Sequence, residues 1–543
     1  MSGVIAAGGP ETAAAGAAML KQGGNAVDAA VAAAFASFIA EIGVVHLGGS
    51  GLAHLYDPRN GRSLVYDFFS TTPGLGGDTP GLGGDTSGTA GSHPAVKDFA
   101  EVIIDFIATT QSFHLGRASV AVPGNIVGLC QLAADHGRLP LPVLLQPAIK
   151  LAREGYLLSP FQAETCALLT PIYTHTPSMQ EIFAPHGNMI QAGEKLFIPH
   201  LAETLENLAK EGERYARNGR LAQAILADQQ KNGGLLTAAD LQNYQVLTHD
   251  SIRLPYRGYE LLLPPPSSTG GILTTFSMKL LAYFDVAQYA HGSAEHLRLL
   301  YEVMAATSRA RRRWDIDSEQ LPLPEAISHF LSKQHVQCYK DEIADGMRNG
   351  RFNPGIPEKK GGGNTSHLSV IDGDGLAVSL TTTAGESAGF VVPGTGCIPN
   401  NILGEADLHP HGFHTRPAGQ RIPSMMTPTI VLKNGKTRLV VGSGGSERIR
   451  SAILQVLSNL LDFKMPLHET VNTARVHLEN GILQCEHGYN PAAVDQLEKW
   501  GYPVNRWPTR SIYYGGAHSV SRTENGRLVA AGDNRRGGST AVA

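Results

Sequence analysis

The chain has 543 residues, of which 42% are hydrophobic and 17% charged, with a formal net charge of −4. That length and composition allow a large buried core and exclude a disordered chain. No basic block stands out, which argues against nucleic acid as a partner, and no run of about 18 apolar residues predicts a membrane span.

The N-terminal part is rich in Ala. "TAAAGAAMLKQ" (12–22) and "AVDAAVAAAFASFIAEIG" (26–43) read as two helices split by "GGN" (23–25). Asn25 suits an N-cap, with Asp28 placed three residues on to complete it. Strand-like pieces follow at 51–57 and 63–69. In "PGLGGDTPGLGGDTSGTAGS" (73–92) a seven-residue unit repeats in tandem, which reads as a low-complexity surface loop. Residues 130–350 read as mostly helical, and "RARRRW" (309–314) reads as the exposed end of a helix. "YRGYELLLPPPSSTGGILTTFSMKLLAY" (256–283) is a strand, a Pro-Ser-Gly turn and a helix. Strands are expected at 366–371, 376–383, 428–433 and 437–441, a helix at 446–462, and strands again within 517–533. A helix-rich front and a strand-rich tail predict an α+β or layered α/β/α fold.

Cys130, Cys166, Cys338, Cys397 and Cys485 are widely spaced with no C-x-x-C, so neither a disulfide framework nor a zinc site is predicted. "MSGVIAAGGPE" lacks a basic start followed by an apolar run, which makes the cytoplasm the expected compartment.

The sharpest local pattern is "TSHLSVIDGDGLAVSLTTT" (365–383), two alternating runs around "DGDG", the mark of a hairpin with a four-residue loop. Pairing Ile371 with Leu376 puts Thr365 opposite Thr382 and beside Thr383. Thr is favoured in strands, so three in a row need no chemistry by themselves. Directly before Thr365 stands "GGGN" (361–364), which suits either a flexible linker or a strained peptide that the chain cuts itself. Further on, "GSGGSERI" (442–449) ends a strand and opens a helix. Its backbone N–H groups can face an anion or a developing oxyanion, or the glycines can simply serve a tight turn.

These blocks, with "QGGNAVDAAVAAAFA" (22–36), "LQPAIKLAREGY" (145–156), "KNGGLLTAADLQNYQ" (231–245) and "YRGYELLLPPPSSTGG" (256–271), resemble the γ-glutamyltranspeptidase family in order along the chain. The resemblance implies an N-terminal nucleophile hydrolase with a four-layer αββα sandwich. It implies self-cleavage at Asn364–Thr365, giving a large subunit 1–364 and a small subunit 365–543 that stay together as a heterodimer in one domain. Thr365 is then the nucleophile, Thr383 the second threonine that hydrogen-bonds it, and Gly444 and Gly445 the oxyanion turn, with Ser446 next to them. A free Thr365 amine, with a reference pKa of about 7.7–8, can act as base for its own hydroxyl.

The family's glutamate-binding residues match poorly. The arginine that grips the substrate α-carboxylate falls near Phe69 in "YDFFSTTP" (66–73), which holds no Arg. The family's Gln falls on Ile402, its amine-holding Asp on Glu405, and its Asn on Gly385. Of an adjacent serine pair only Ser424 remains, followed by Met425. A bidentate arginine clamp is hard to replace with neutral groups, so Arg416 and Arg421 are the alternative carboxylate-binding cations, or else surface and structural arginines. His409, His411 and His414 lie in a Gly/Pro loop with no completing ligand pattern, so no metal and no cofactor are expected.

The expected activity is a self-processing amidohydrolase or acyltransferase acting on a small-molecule amide. A γ-glutamyl amide follows from the family, and a different acyl amide, as in cephalosporin-acylase-like enzymes, follows from the missing arginine. A ligand-binding pseudoenzyme is the alternative from another class.

Overall fold

The computed structural model describes residues 3–76, 98–105, 110–349, 364–409 and 411–543. Most of the tandem glycine repeat and of the Pro/Gly stretch before Asn364 lies outside the described residues.

Two antiparallel sheets organise the chain. Their strands are β1 (Gly3–Ala7), β2 (Ser50–Asp57), β3 (Arg62–Phe68), β4 (Leu247–Asp250), β5 (Ile252–Tyr256), β6 (Tyr259–Leu263), β7 (Thr365–Asp372), β8 (Ala377–Thr383), β9 (Thr429–Lys433), β10 (Lys436–Val441), β11 (Ser519–Arg522), β12 (Leu528–Ala531) and β13 (Ser539–Val542). The first sheet has the order β13-β1-β7-β8-β2-β3-β4 and the second β12-β11-β10-β9-β6-β5. Strands β7 and β8 therefore lie inside the first sheet, with β1 and β2 as their outer neighbours.

Helices α1 (Pro10–Lys21) and α2 (Ala26–Ala40) pack on the first sheet. Every residue of α2 is buried, and its many alanines let the helix backbone come close to α1 and to β7 and β8. Asn25 caps α2 as the sequence predicts. Its side chain accepts from Val27 and Asp28, and the Asp28 carboxylate accepts from Asn25 N–H at 2.8 Å. Helices α3 (Thr269–Leu281), α4 (Ala294–Gln320) and α5 (Arg448–Leu461) gather a second core, with α3 against β5 and β6. A third apolar cluster joins the two sheets, with Val4, Tyr56, Ile371 and Ala377 facing Leu262, Ile430, Leu432, Val440 and Val520.

β7 alternates apolar and polar residues, and all of its residues are buried. Leu368 and Val370 join the helix-side core, with Ser366 and Asp372 on that face bonding Glu41 and Ala26 N–H, while His367 and Ser369 turn to the second sheet. There Ser369 Oγ donates to His518 O at 2.9 Å and Ser379 Oγ donates to Val441 O at 3.0 Å. His367 bridges Thr381 and Ser369 at 2.9 Å each. Buried hydroxyls that reach backbone carbonyls tie the sheets together without leaving unpaired groups.

Two expectations need correction. The hairpin pairs Thr365 with Thr383 and Ile371 with Ala377, one residue off the register that Ile371–Leu376 pairing predicts. The cause is the loop. Asp372 Oδ1 accepts from both Asp374 N–H and Leu376 N–H, drawing Leu376 into the turn. "RARRRW" is not a helix end but lies within the 27-residue α4, with Trp314 buried and Arg311 paired to Glu447.

Candidate active site

The corrected register brings the two threonines together. Thr365 opens β7, Thr383 ends β8, and Thr365 Oγ1 donates to Thr383 Oγ1 at 3.3 Å. Thr383 Oγ1 in turn donates to the carbonyl oxygen of Asn364 at 2.7 Å and accepts from Gly385 N–H at 3.1 Å. A single hydroxyl thus touches both the side chain and the carbonyl of the Asn364–Thr365 pair. It withdraws electron density from that carbonyl, which makes its carbon a better target for Thr365 Oγ1. All three residues are buried: Asn364 is 3% exposed, Thr365 4% and Thr383 7%.

The glycine turn lies on the other side of Thr365. A Cβ on Gly444 would stand 2.0 Å from the Thr365 carbonyl oxygen, so only glycine allows this approach. Gly445 has φ +112, and Ser446 follows with φ +51. Ser446 Oγ donates to Asp407 Oδ2, which links the turn to the loop after β8. Ser443 Oγ accepts from Gly516 N–H at 3.1 Å and fixes the turn from behind. The Asn364 carbonyl is held by Thr383, while Gly444 backs Thr365 itself and Gly445 packs on Gly515 and Arg536.

Three buried carboxylates surround this corner. Burial pushes Glu386 up to about 8, against the attraction of Arg536 and hydrogen bonding from Asn364. Burial raises Glu405 well above the usual carboxylate range, with repulsion from Asp407 and Glu386 adding to it. Burial also raises Asp407. The sequence reading missed Glu386 and Arg536. Their only trace is an acid three positions past the second threonine and an extra arginine in "DNRRGG" (533–538).

The proposed substrate-binding residues spread along one wall. Glu405 is buried with Oε1 unpartnered, and a Cβ on Gly385 would lie 2.3 Å from that oxygen. Gly385 and Glu405 therefore fit as a matched pair: the longer acid fills the space that the glycine leaves. Ser424 is buried, its backbone is fixed by Ser267 and Gly270, and its Oγ has no hydrogen-bond partner. Ile402 is fully buried in the apolar core.

Arg421 comes to the place where an arginine is missing. Its guanidinium donates to the carbonyl of Phe69, to Tyr244 Oη at 2.9 Å and to Gln245 O at 2.5 Å, with Asp67 at 3.6 Å. Those contacts bind it to the fold. A cavity of about 520 Å³ opens beside this wall, and Asp407, Arg416, Arg421, Met425 and Trp314 line part of it. Burial lowers the pKa of Arg416. Of the loop histidines, His409 bonds Ile402 O, His414 bonds Ala118 O and His411 faces Glu319.

Residues 12–543 match the sequence profile of the family described as Gamma-glutamyltranspeptidase. The chain is 32% identical over 540 residues to the Acylase ACY 1 proenzyme of Pseudomonas sp. (strain SE83), covering 97% of this chain and 91% of that protein. It is 29% identical over 539 residues to the Glutathione hydrolase proenzyme of Escherichia coli (strain K12), covering 95% and 87%. Its fold is similar to the crystal structure of cephalosporin acylase from Bacillus halodurans, with a TM-score of 0.82 at 24% identity over 99% of this chain and 95% of that one. With a profile match over nearly its whole length, the chain belongs to the γ-glutamyltranspeptidase family.

Proposed function

We propose that the protein is a self-processing amidohydrolase and acyltransferase that works through an acyl-Thr365 intermediate. The observation that carries this reading is the Thr383 hydroxyl, 3.3 Å from Thr365 Oγ1 and 2.7 Å from the Asn364 carbonyl oxygen. In the first step Thr365 Oγ1 bonds to the Asn364 carbonyl carbon, the C–N bond breaks, and the hydroxyl proton passes to the freed nitrogen. Water then hydrolyses the ester. It leaves a carboxylate on Asn364, a free hydroxyl on Thr365, and an amine able to serve as that hydroxyl's base. The same hydroxyl then attacks a substrate amide, and water or an amine takes the acyl group away.

In this reading Gly444 and Gly445 donate backbone N–H groups to the substrate oxyanion, and Glu405, Ser424, Ser446 and Arg421 border the acyl site. The two products, 1–364 and 365–543, remain one heterodimeric domain. We read the helix, sheet, sheet, helix packing as a four-layer αββα sandwich. Among the described residues no helix is long and apolar enough to cross a membrane.

The substrate is a γ-glutamyl or similar acyl amide. Two observations favour an acyl group without a free α-carboxylate at the clamp position: the stretch around Phe69 holds no Arg, and Arg421 is bound to backbone carbonyls. The glutathione hydrolase relative supports the γ-glutamyl reading, and the acylase relative supports the other. A denaturing gel of the purified protein tests the core of this reading. Bands for 364 and 179 residues, with Thr as the first residue of the smaller one, are the expected result. A single full-length band that still turns over amides overturns it, and a single inert band favours a ligand-binding pseudoenzyme. Comparing γ-glutamyl with non-glutamyl amides then identifies the acyl group.

A further inference from the structure

The bond between Asn364 and Thr365 is gripped by more than the threonine pair. Each polar group of Asn364 has a neighbour. Its carbonyl accepts from Thr383, its side-chain oxygen lies 3.4 Å from Arg536 Nη1, and its Nδ2 lies 3.4 Å from Gly43 O. Its backbone N–H and side-chain amide both face the Glu386 carboxyl. Arg536 Nη1 also donates to the carbonyl of Thr365 at 3.2 Å, so a single guanidinium spans the bond. Arg536 is itself buried, and Glu386 is an acid whose charge attracts it there. Glu41, whose charge also feels Arg536, accepts from Ser366 Oγ at 2.5 Å.

Glu386 is held independently of Asn364. Its backbone N–H donates to Asn401 Oδ1 at 2.8 Å, and Asn401 is fully buried. The clamp thus stands on fixed backbone rather than on the segment that it grips. One Glu386 oxygen, Oε2, is buried without a hydrogen-bond partner. An unmet acceptor at that depth is unfavourable for folding, and a position that tolerates it is a candidate for function.

We propose that Glu386 and Arg536 are positioning residues for self-cleavage: together they hold Asn364 and Thr365 so that the scissile carbonyl meets Thr383 and faces Thr365 Oγ1. The inference rests on the self-cleaving reading above. Neither residue exchanges a proton or forms a bond in the step. They act by fixing the attack geometry, where a small misplacement can slow a reaction by about 100-fold. Cleavage turns the Asn364 end into a carboxylate beside Glu386. The cut end is then no longer joined to Thr365 and is free to clear the space next to it.

The test follows the rate of conversion from one band to two after synthesis of the full chain. Glu386→Ala is expected to cut at least about 10-fold more slowly. Glu386→Gln keeps an acceptor oxygen and is expected to fall between it and the parent. The readout that separates positioning from a general structural role is the combination with Asn364→Ala. If Glu386 works through Asn364, the two effects are less than multiplicative in the double variant. Melting of the same variants in a Thr365→Ala background shows whether they fold. Should Glu386→Ala fail to fold, Arg536→Lys decides, since it keeps the buried charge and loses the contacts that span the bond. A variant that cuts at the parental rate, or Glu386→Ala and Asn364→Ala effects that multiply as independent changes, overturns the clamp. A parent that stays whole removes the self-cleavage reading itself, and the clamp with it.

Discussion

At the Thr365–Thr383 corner both hydroxyls are in hydrogen bonds, whereas along the neighbouring wall Glu405 Oε1, Asp407 Oδ1 and Ser424 Oγ have no partner. The corner is built by strand pairing. β7 and β8 are buried inside a sheet, and their register alone sets Thr365 against Thr383. The wall is built by loops and 3₁₀ turns around Ile402–Leu408, tied by isolated bridges such as Phe113 to Glu405 and Ser268 to Ser424 in place of a ladder. Leaving a buried polar atom unpaired is unfavourable by about 1–3 kcal/mol. On the proposed reading the difference teaches a division of labour: the sheet preorganises the chemistry, and the unmet atoms of the wall await partners from a substrate.

The comparison can be broken most severely at the corner. Thr365→Ala removes the attacking oxygen, and amide turnover is expected to fall by about 10⁴-fold or more, with the chain left whole on a gel. Thr383→Val removes the donor to the Asn364 carbonyl, and self-cleavage, followed by band conversion, is expected to slow by about 10²–10³-fold.

The wall is expected to respond less and in a coupled way. Gly385→Asn introduces atoms into the space held by Glu405 Oε1, and kcat/KM for the preferred amide is expected to fall by about 10-fold. Shortening the acid in Gly385→Asn/Glu405→Asp relieves the Glu405 part of the clash and leaves the contact with Asn401 Oδ1, 2.2 Å from the new Cβ, so the double variant recovers part of the loss. If the double variant is no better than the single, the two positions are not a matched pair.

The smallest effect is a pH dependence of stability in an uncut Thr365→Ala chain. Glu386 has its pKa raised from about 4.5 in the unfolded chain to about 8 in the folded one. Between those values the folded chain keeps a proton that the unfolded chain has released. Folding therefore takes up a proton, and this group makes stability fall as pH rises from 4.5 to 8. Glu386→Gln removes that term. Its melting temperature relative to the parent is expected to be more favourable at pH 8 than at pH 5. Equal differences at both values would show that Glu386 does not titrate in that window. Buried His46 and His518, held neutral by desolvation, act in the opposite sense below about pH 6.5 and cancel in the comparison.

Much of the corner was legible in the chain itself. Alternation around "DGDG" places both strands, and "GGGN" before Thr365 marks the bond in question. The register was legible only to within one residue, because the Asp372 side chain decides how many residues the loop takes. The wall was read by what is missing, the Arg near Phe69. That Arg421 reaches the Phe69 carbonyl from 352 positions away is a contact no spacing rule contains. Glu386 and Arg536 were overlooked for the same reason, since an acid in a loop and an arginine near the C-terminus read as solvated residues.

Local order along the chain determined the elements and the hairpin, because strand alternation, turn residues and helix caps act between near neighbours, while the resemblance to the family singled out Thr365 as the proposed nucleophile. Which groups stand around that nucleophile was decided only when two sheets closed on each other and buried residues from 41 to 536 in one place. Desolvation and close approach depend on what the rest of the chain puts nearby. The carboxyl of Glu386 and the glycine at 444 thus acquire their meaning from the packed fold.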